Sequence, residues 1–243
     1  MSRITLEFLD SVDSTMDVAS DLAREGAPEG TVVVAGTQRK GRGRSGSDWS
    51  SPEGGAWFSV LLTPEIQAEE SHRIVLLAGL CACSVLRESL EVSATLRWPN
   101  DIVLEGKKIA GVLGEGLQTK GAYYTVVGVG VNTNINADAF PEWLREEATT
   151  TRDFLKREVD NKLLIEGIAE MLVERSTDLV RNYARIVEEW VRLSDTIGRQ
   201  IESDGTPKGM AIRLDSDGFL VTVDAEGSER KIVSGNIRYL DGP

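Results

Sequence analysis

Residues 95–112 read Thr95-Leu96-Arg97-Trp98-Pro99-Asn100-Asp101-Ile102-Val103-Leu104-Glu105-Gly106-Lys107-Lys108-Ile109-Ala110-Gly111-Val112. Two β-type runs, Ile102 to Leu104 and Lys108 to Gly116, flank Glu105-Gly106, a pair of the kind that closes a tight hairpin. Tyr124 to Val131 supplies a further strand, so residues 95–131 read as wholly β. Trp98-Pro99 followed by Asn100-Asp101 interrupts that pattern, which turns the chain and presents polar side chains. Strand alternation puts Lys108, Ala110 and Val112 on one face, a lysine among small apolar side chains. An ammonium there is costly without an anion to pair with, which predicts a ligand for Lys108. Lys107, on the other face, suits an edge lysine that blocks aggregation.

Working outward, Glu69 to Leu90 reads as a long helix with a broad apolar face. Upstream, Thr31 to Ala35 and Ala56 to Leu62 read as strands, and Ser14 and Thr15 cap a helix that Gly26 stops. Helices among hairpin-linked strands predict an α+β pattern and not a βαβ repeat. Downstream, Asp160 to about Trp190 is helical in pattern, with Leu164, Ile168, Met171 and Leu172 on one side. Beyond Leu193 come four short β-type segments, near 197–202, 208–214, 218–223 and 229–234, separated by Asp204-Gly205, Asp217-Gly218 and Glu226-Gly227. This predicts a small β-barrel over residues 194–243 behind a larger domain over 1–193.

The 243 residues suffice to bury a core without disulfides or metals. A net charge of −12 disfavours a chain whose main partner is nucleic acid, since that role needs a basic face. The nearly apolar run from Ile74 to Leu86 is too short for a membrane span, and the N-terminus lacks a signal-peptide stretch, so a cytoplasmic protein with no membrane partner is expected. Cys81 and Cys83 sit two apart in a helical pattern and read as core. With one histidine, His72, most metal sites and nearly every nucleophilic triad lose their usual imidazole, and no metal site is expected. The chemistry falls to Lys, Arg, backbone amides or a bound cation.

Arg39, Lys40, Arg42 and Arg44 fall within six positions among Gly36, Gly41, Gly43 and Gly46, in a stretch from Thr31 to Ser47 that has no acidic residue. Glycines let amides converge and arginines add forked donors, which points to an anion site; the alternative is a solvated basic loop. Neither a Walker loop nor a dinucleotide fingerprint occurs. Gly128 and Gly130, just before Asn132, fit either close approach to a ligand or tight strand packing.

These motifs together resemble the biotin–protein ligases, which attach biotin to a carboxylase carrier domain. Gly41-Arg42-Gly43-Arg44-Ser45-Gly46-Ser47-Asp48-Trp49, with Ser51-Pro52 after it, resembles that family's adenylate-binding loop. WPND at 98–101 with KKIAGVL at 107–113 resembles its second signature, Val127 to Asn132 its third, and Asp13-Ser14-Thr15 its DSTN motif. Leu193 to Arg199 resembles the entry to its SH3-like C-terminal barrel.

The resemblance implies a class II aminoacyl-tRNA synthetase-like mixed sheet. It also implies the reaction: biotin and MgATP give biotinyl-5′-AMP, and the biotinyl group passes to one lysine of a biotin carboxyl carrier protein. By position, Ser14, Thr15, Gln38, Gly41, Arg42, Arg44, Lys108 and Gly111 would contact biotin. Arg44, Trp49, Asn100 and Asn132 would contact the nucleotide, with Lys108 and Arg44 as the catalytic cations. Biotin and ATP with Mg2+ are the expected substrates, and a homodimer is compatible with the family. The ligand motifs begin at Asp13, which predicts a ligase without an N-terminal DNA reader and without DNA as a partner. Four positions depart from the family pattern: Met16, Ser45, Ser47 and Arg97. The nearest rival is lipoate–protein ligase; a non-catalytic biotin or adenylate sensor is the rival from another class.

Overall fold

The computed structural model describes residues 4–67, 70–235 and 237–240. The chain opens with a strand that the sequence pattern did not signal, β1 (Thr5–Val12), exposed along most of its length. It runs parallel to β2 (Thr31–Gln38), and helix α1 (Thr15–Arg24) makes the crossover. The Ser14 hydroxyl accepts from the Met16 amide to cap α1, and Gly26, at φ +88°, follows its end. All other neighbouring strands of this sheet are antiparallel: β3 (Ala56–Leu62), β4 (Thr95–Arg97), β5 (Asp101–Leu104), β6 (Lys107–Gln118) and β7 (Tyr123–Val131). The order is β1-β2-β3-β7-β6-β5-β4, a mixed seven-stranded sheet. Glu105 and Gly106 both take positive φ, 49° and 80°, as the tight β5–β6 turn requires.

Each face of the sheet carries its own apolar layer. On one side Met16, Ala19 and Ala23 of α1 pack on Val33, Leu61 and Val126. The other side is covered by α2 (His72–Leu90), whose Leu77, Leu80 and Leu86 share a core with Val60, Val112 and Val127. The expected start of α2 at Glu69 lies outside the described residues. After two short helices, α3 (Glu142–Arg145) and α4 (Thr151–Leu155), the stretch expected as one helix is three: α5 (Asn161–Arg175), α6 (Asp178–Arg181) and α7 (Tyr183–Arg192). Asn182, at φ −154° and ψ 43°, leaves helical space between the last two. Leu172 of α5 and Trp190 of α7 both join the core around α2.

The last segment forms a second sheet of five antiparallel strands: β8 (Gln200–Ser203), β9 (Thr206–Leu214), β10 (Leu220–Val223), β11 (Glu229–Ile232) and β12 (Ile237–Tyr239), in the order β11-β10-β9-β8-β12. Four of these match the anticipated segments; β12 adds a fifth. Ile201, Ala211, Leu220 and Ile232 belong to the same core as α2. The link into this sheet is itself paired: the Leu96 amide donates to Leu193 O at 2.8 Å and the Asp195 amide to Leu96 O at 2.9 Å, beside β4. Cys81 and Cys83 are buried and unbridged, and burial pushes both thiols up to about 12, so neither is a nucleophile at neutral pH. No helix among the described residues is long and apolar enough to cross a membrane.

Candidate active site

A polar cluster lies on the face of the sheet that α1 covers. Thr15, at the first turn of α1, gives its amide and hydroxyl to Gln38 Oε1 at 2.8 and 3.1 Å, and its hydroxyl also lies 2.7 Å from Ser59 Oγ. Gln38 Nε2 donates to Ser51 Oγ at 2.8 Å. Ser59 is a polar residue inside the wholly buried β3, a position that sequence reasoning passed over as one more core site. Ser14 and Thr15 are both buried, so the four side chains Thr15, Gln38, Ser51 and Ser59 hold a fixed set of donors and acceptors. Met16, a departure from the family pattern, fills the space left by Gly128: a Cβ there would sit 2.8 Å from its sulfur.

The glycine-rich loop closes on itself before it reaches this polar cluster. Trp49 N–H donates to Gly41 O at 2.8 Å and Gly43 N–H to Ser47 O at 2.7 Å. Gly41 is required by space, since a Cβ would meet Trp49 O at 2.5 Å and Ser51 Oγ at 2.8 Å. The cluster of four cations proves selective. Arg39 and Lys40 both pair with Asp13, and Arg42 pairs with Asp17 and with both oxygens of Glu115. The Glu115 carboxylate pushes the Arg42 guanidinium up, deepening its commitment there. Arg44 differs: among the described residues it donates only to the neutral acceptors Asn100 Oδ1 and Gly235 O, both at 3.3 Å. Its burial pushes the guanidinium down, with nearby Asp101 opposing. A half-buried, always-charged group that faces only neutral acceptors is suited to an incoming anion. Ser47 shapes this turn by donating to Arg44 O at 2.9 Å.

Lys108 sits elsewhere than strand alternation predicts. In the β5–β6 pair Ile102 faces Ala110 while Val103 faces Lys108, so Ile109 is an extra residue and the ladder bulges. The bulge moves Lys108 off the face of Ala110 and Val112: a Cβ on Gly111 would lie 3.3 Å from Lys108 Cε. The lysine therefore faces the site, and the row of apolar neighbours that first argued for a ligand is not its environment. Its Nζ lies 2.6 Å from Asp101 Oδ1 and 5.0 Å from the centre of the Trp49 ring. Asp101, read only as part of a turn, is thus a site residue that spacing alone did not mark.

Trp49 joins these parts. Its ring lies over Gly111 and Gly130, and its buried Nε1 has no hydrogen-bond partner among the described residues. The close approach open at Gly130 in the sequence is packing against this indole. A Cβ on Gly130 would sit 2.6 Å from Nε1. Gly130→Ala is expected to force Trp49 outward and cost about 1–3 kcal/mol of stability, read as a lower denaturation midpoint. Asn100 donates to Val112 O at 2.9 Å while accepting from Arg44, so the turn, the loop and β6 are tied together. Asn132 is buried and its amide donates to Thr149 O at 3.2 Å, holding the 147–149 segment against Lys108. Beside Arg44 a cavity of about 260 Å3 opens between His72, Trp98, Val112 and Phe219. Among the described residues no group of three or more His, Cys, Asp or Glu could hold a metal.

Contacts thus run without a break from Thr15 and Gln38, through Ser51, Gly41 and Trp49, to Gly111, Lys108, Asp101, Asn100 and Arg44. The guanidinium of Arg42 is engaged by Asp17 and Glu115. This arrangement has counterparts. The chain is 29% identical to the biotin protein ligase of Aquifex aeolicus solved with biotin and ATP, with a TM-score of 0.82 over 97% of this chain and 98% of that one. It is 32% identical over 238 residues to the bifunctional ligase/repressor BirA of Bacillus subtilis, covering 96% of this chain and 73% of that protein. A biotin–[acetyl-CoA-carboxylase] ligase of Mycobacterium tuberculosis is 27% identical, covering 96% and 89%. Residues 8–132 match the model of the biotin/lipoate A/B protein ligases, and the chain belongs to that family.

Proposed function

We propose that this protein is an ATP-dependent biotin ligase that activates biotin as biotinyl-5′-AMP and transfers it to one lysine of a biotin carboxyl carrier domain. The observation that carries this reading is the placement of two cations on either side of the Asn100-Asp101 turn: Lys108 against Asp101 and Arg44 against Asn100. In adenylation a carboxylate oxygen of biotin forms a bond to the α-phosphorus while the bond to pyrophosphate breaks. Negative charge builds on the phosphoryl oxygens, and preorganised cationic donors lower that barrier without a histidine base. Lys108 takes the place between biotin carboxylate and α-phosphate, exchanging its pairing with Asp101 for the incoming anionic oxygens. Ser14, Thr15 and Gln38 hold biotin, with Gly41, Gly111 and Trp49 shaping the wall. Arg44 and Asn100 face the nucleotide, and Mg2+ arrives with the ATP phosphates. In the second step a neutral lysine amine of the carrier attacks the acyl carbon and AMP leaves.

The same reading takes the first sheet as class II synthetase-like and the second as a small SH3-like barrel, with the boundary near Ser194. It makes the protein cytoplasmic, acting on a carrier protein and not on DNA, with homodimerisation compatible. Relatives that carry the biotin ligase name support it. Pyrophosphate exchange into ATP is expected with biotin and not with lipoate or octanoate. Exchange with lipoate alone would replace this reading with the lipoate one.

A further inference from the structure

Arg97 stands where the family pattern has lysine, and the site described above does not use it. It makes two parallel bonds to Asp195, Nε to Oδ1 at 3.2 Å and Nη2 to Oδ2 at 2.7 Å, and donates through Nη1 to Gly106 O at 3.3 Å. Gly106 is in the turn that leads into Lys108. One guanidinium therefore spans the segment entering the C-terminal sheet and the β5–β6 hairpin, a reach for which lysine, with a single nitrogen, lacks the fork. Its Cζ lies 4.8 Å from the centre of the Tyr239 ring, and Arg199 lies 4.6 Å from that ring.

Tyr239 belongs to β12, near the C-terminal end of the described chain, yet its hydroxyl reaches the Trp98-Pro99 turn. The Trp98 amide donates to Thr196 Oγ1 at 2.9 Å, and Thr196 Oγ1 lies 2.9 Å from Tyr239 Oη, which donates to Trp98 O at 3.4 Å. Assigning one proton to each hydroxyl closes the circuit: Trp98 N–H to Thr196, Thr196 O–H to Tyr239, Tyr239 O–H to Trp98 O. Trp98 Nε1 also donates to Gly218 O at 3.1 Å, which places the same turn against the β9–β10 connection. The turn so held carries Asn100, which binds Val112 and Arg44, and Asp101, which pairs with Lys108.

We infer that Arg97, Thr196 and Tyr239 form a clamp through which the C-terminal sheet positions the Asn100-Asp101 turn, and through it Lys108 and Arg44. They are positioning residues. The inference rests on the biotin ligase reading for its effect on rate, but the clamp itself is a statement about geometry. Its readouts are therefore two: the rate of pyrophosphate exchange with biotin, and amide hydrogen exchange of the full-length chain without ligand.

Tyr239→Phe and Thr196→Val each remove one hydroxyl from the circuit, and Arg97→Lys removes the fork while keeping the charge. Each is expected to lower kcat for exchange by on the order of tenfold, because small displacements of catalytic groups are amplified in rate. KM for biotin should stay within about twofold, since Thr15, Gln38 and Ser59 are untouched. Amides of Trp98, Lys108 and Val112 should exchange faster by a similar factor, while those paired between β2 and β3 do not change. Should Thr196→Val fail to fold, Tyr239→Phe carries the same test with the ring retained. If the folded variants adenylate at the normal rate and only Trp98 loses protection, the contacts merely attach the second sheet and the clamp is overturned. If the unmodified chain gives no biotin-dependent exchange while the amide pattern shifts as expected, the biotin reading fails and the clamp stands.

Discussion

Lys108→Ala is expected to lower the rate of biotinyl-5′-AMP formation by about 10²-fold or more, the scale for losing one preorganised donor in a transition state. The ammonium sits at the mouth of the site with its carbon chain against Gly111 and the Trp49 ring, so its position is set before ligand arrives. The substitution leaves Asp101 without its ion pair and adds one uncompensated negative charge where a carboxylate and a phosphate must meet. Both losses oppose adenylation, whereas biotin capture by Thr15 and Gln38 is retained. Single-turnover kinetics should therefore show a slow chemical step with biotin affinity changed much less. Lys108→Ala combined with Asp101→Ala separates the two effects: part of the rate should return if the orphaned carboxylate repels substrate. An unchanged adenylation rate in Lys108→Ala would make the lysine structural.

Arg44→Gly is expected to let biotinyl-5′-AMP form and then escape. Among the described residues Arg44 is the cation of its loop whose side-chain hydrogen bonds go to neutral acceptors, so its charge is available to a phosphate, and a charged hydrogen bond is worth about 1.5–3 kcal/mol. Release should accelerate by roughly 10- to 100-fold, because 1.4 kcal/mol corresponds to a factor of ten. Glycine also loosens a turn in which Ser45 and Gly46 already take φ of 54° and 77°. Free adenylate acylates any accessible amine, so bystander lysines should become labelled. Arg44→Lys should restore part of the retention but not all of it, since a single nitrogen cannot reach Asn100 and Gly235 together. Adenylate release as slow as in the unmodified chain would remove Arg44 from this role. Arg42→Gly makes the contrasting case. That guanidinium holds Asp17 and Glu115, so its loss should free the loop from α1 and β6 and show as a lower denaturation midpoint.

What the sequence revealed follows from the range of the signals it carries. Glu105-Gly106 marked its hairpin because a positive φ at both residues is a local demand, and Ala56–Leu62 was legible because burial on both faces leaves a run that is apolar at every position but Ser59. β1 was not legible: exposed at Glu7, Phe8 and Asp10, it lacks both an apolar run and a clean alternation. The bulge at Ile109 escaped for a related reason, since period-two counting assumes that no residue is inserted, and one insertion reverses every face beyond it. The anion loop was half legible. A local count sees four cations and no acids, but Asp13, Asp17 and Glu115 answer three of them from β6 and from the region around the start of α1. Ser59 and Asp101 were invisible as site residues because their partners lie on other strands and helices.

The segment 193–195 that lines up beside β4 sets an order of events during synthesis. Trp98 leaves the ribosome 98 residues before Thr196 and 141 before Tyr239. At about 5–20 residues per second, the wait for Tyr239 lasts roughly 7–30 s, long compared with local helix and hairpin formation. Over that interval the outer edge of β4 offers unpaired amide and carbonyl groups at Leu96, the residue that later bonds Leu193 and Asp195. A nascent chain is thus exposed to edge-to-edge association at the strand that leads into its reactive turn. Catalytic competence is a late acquisition of translation, and growth at higher temperature or faster expression should shift the yield toward aggregates nucleated at that edge.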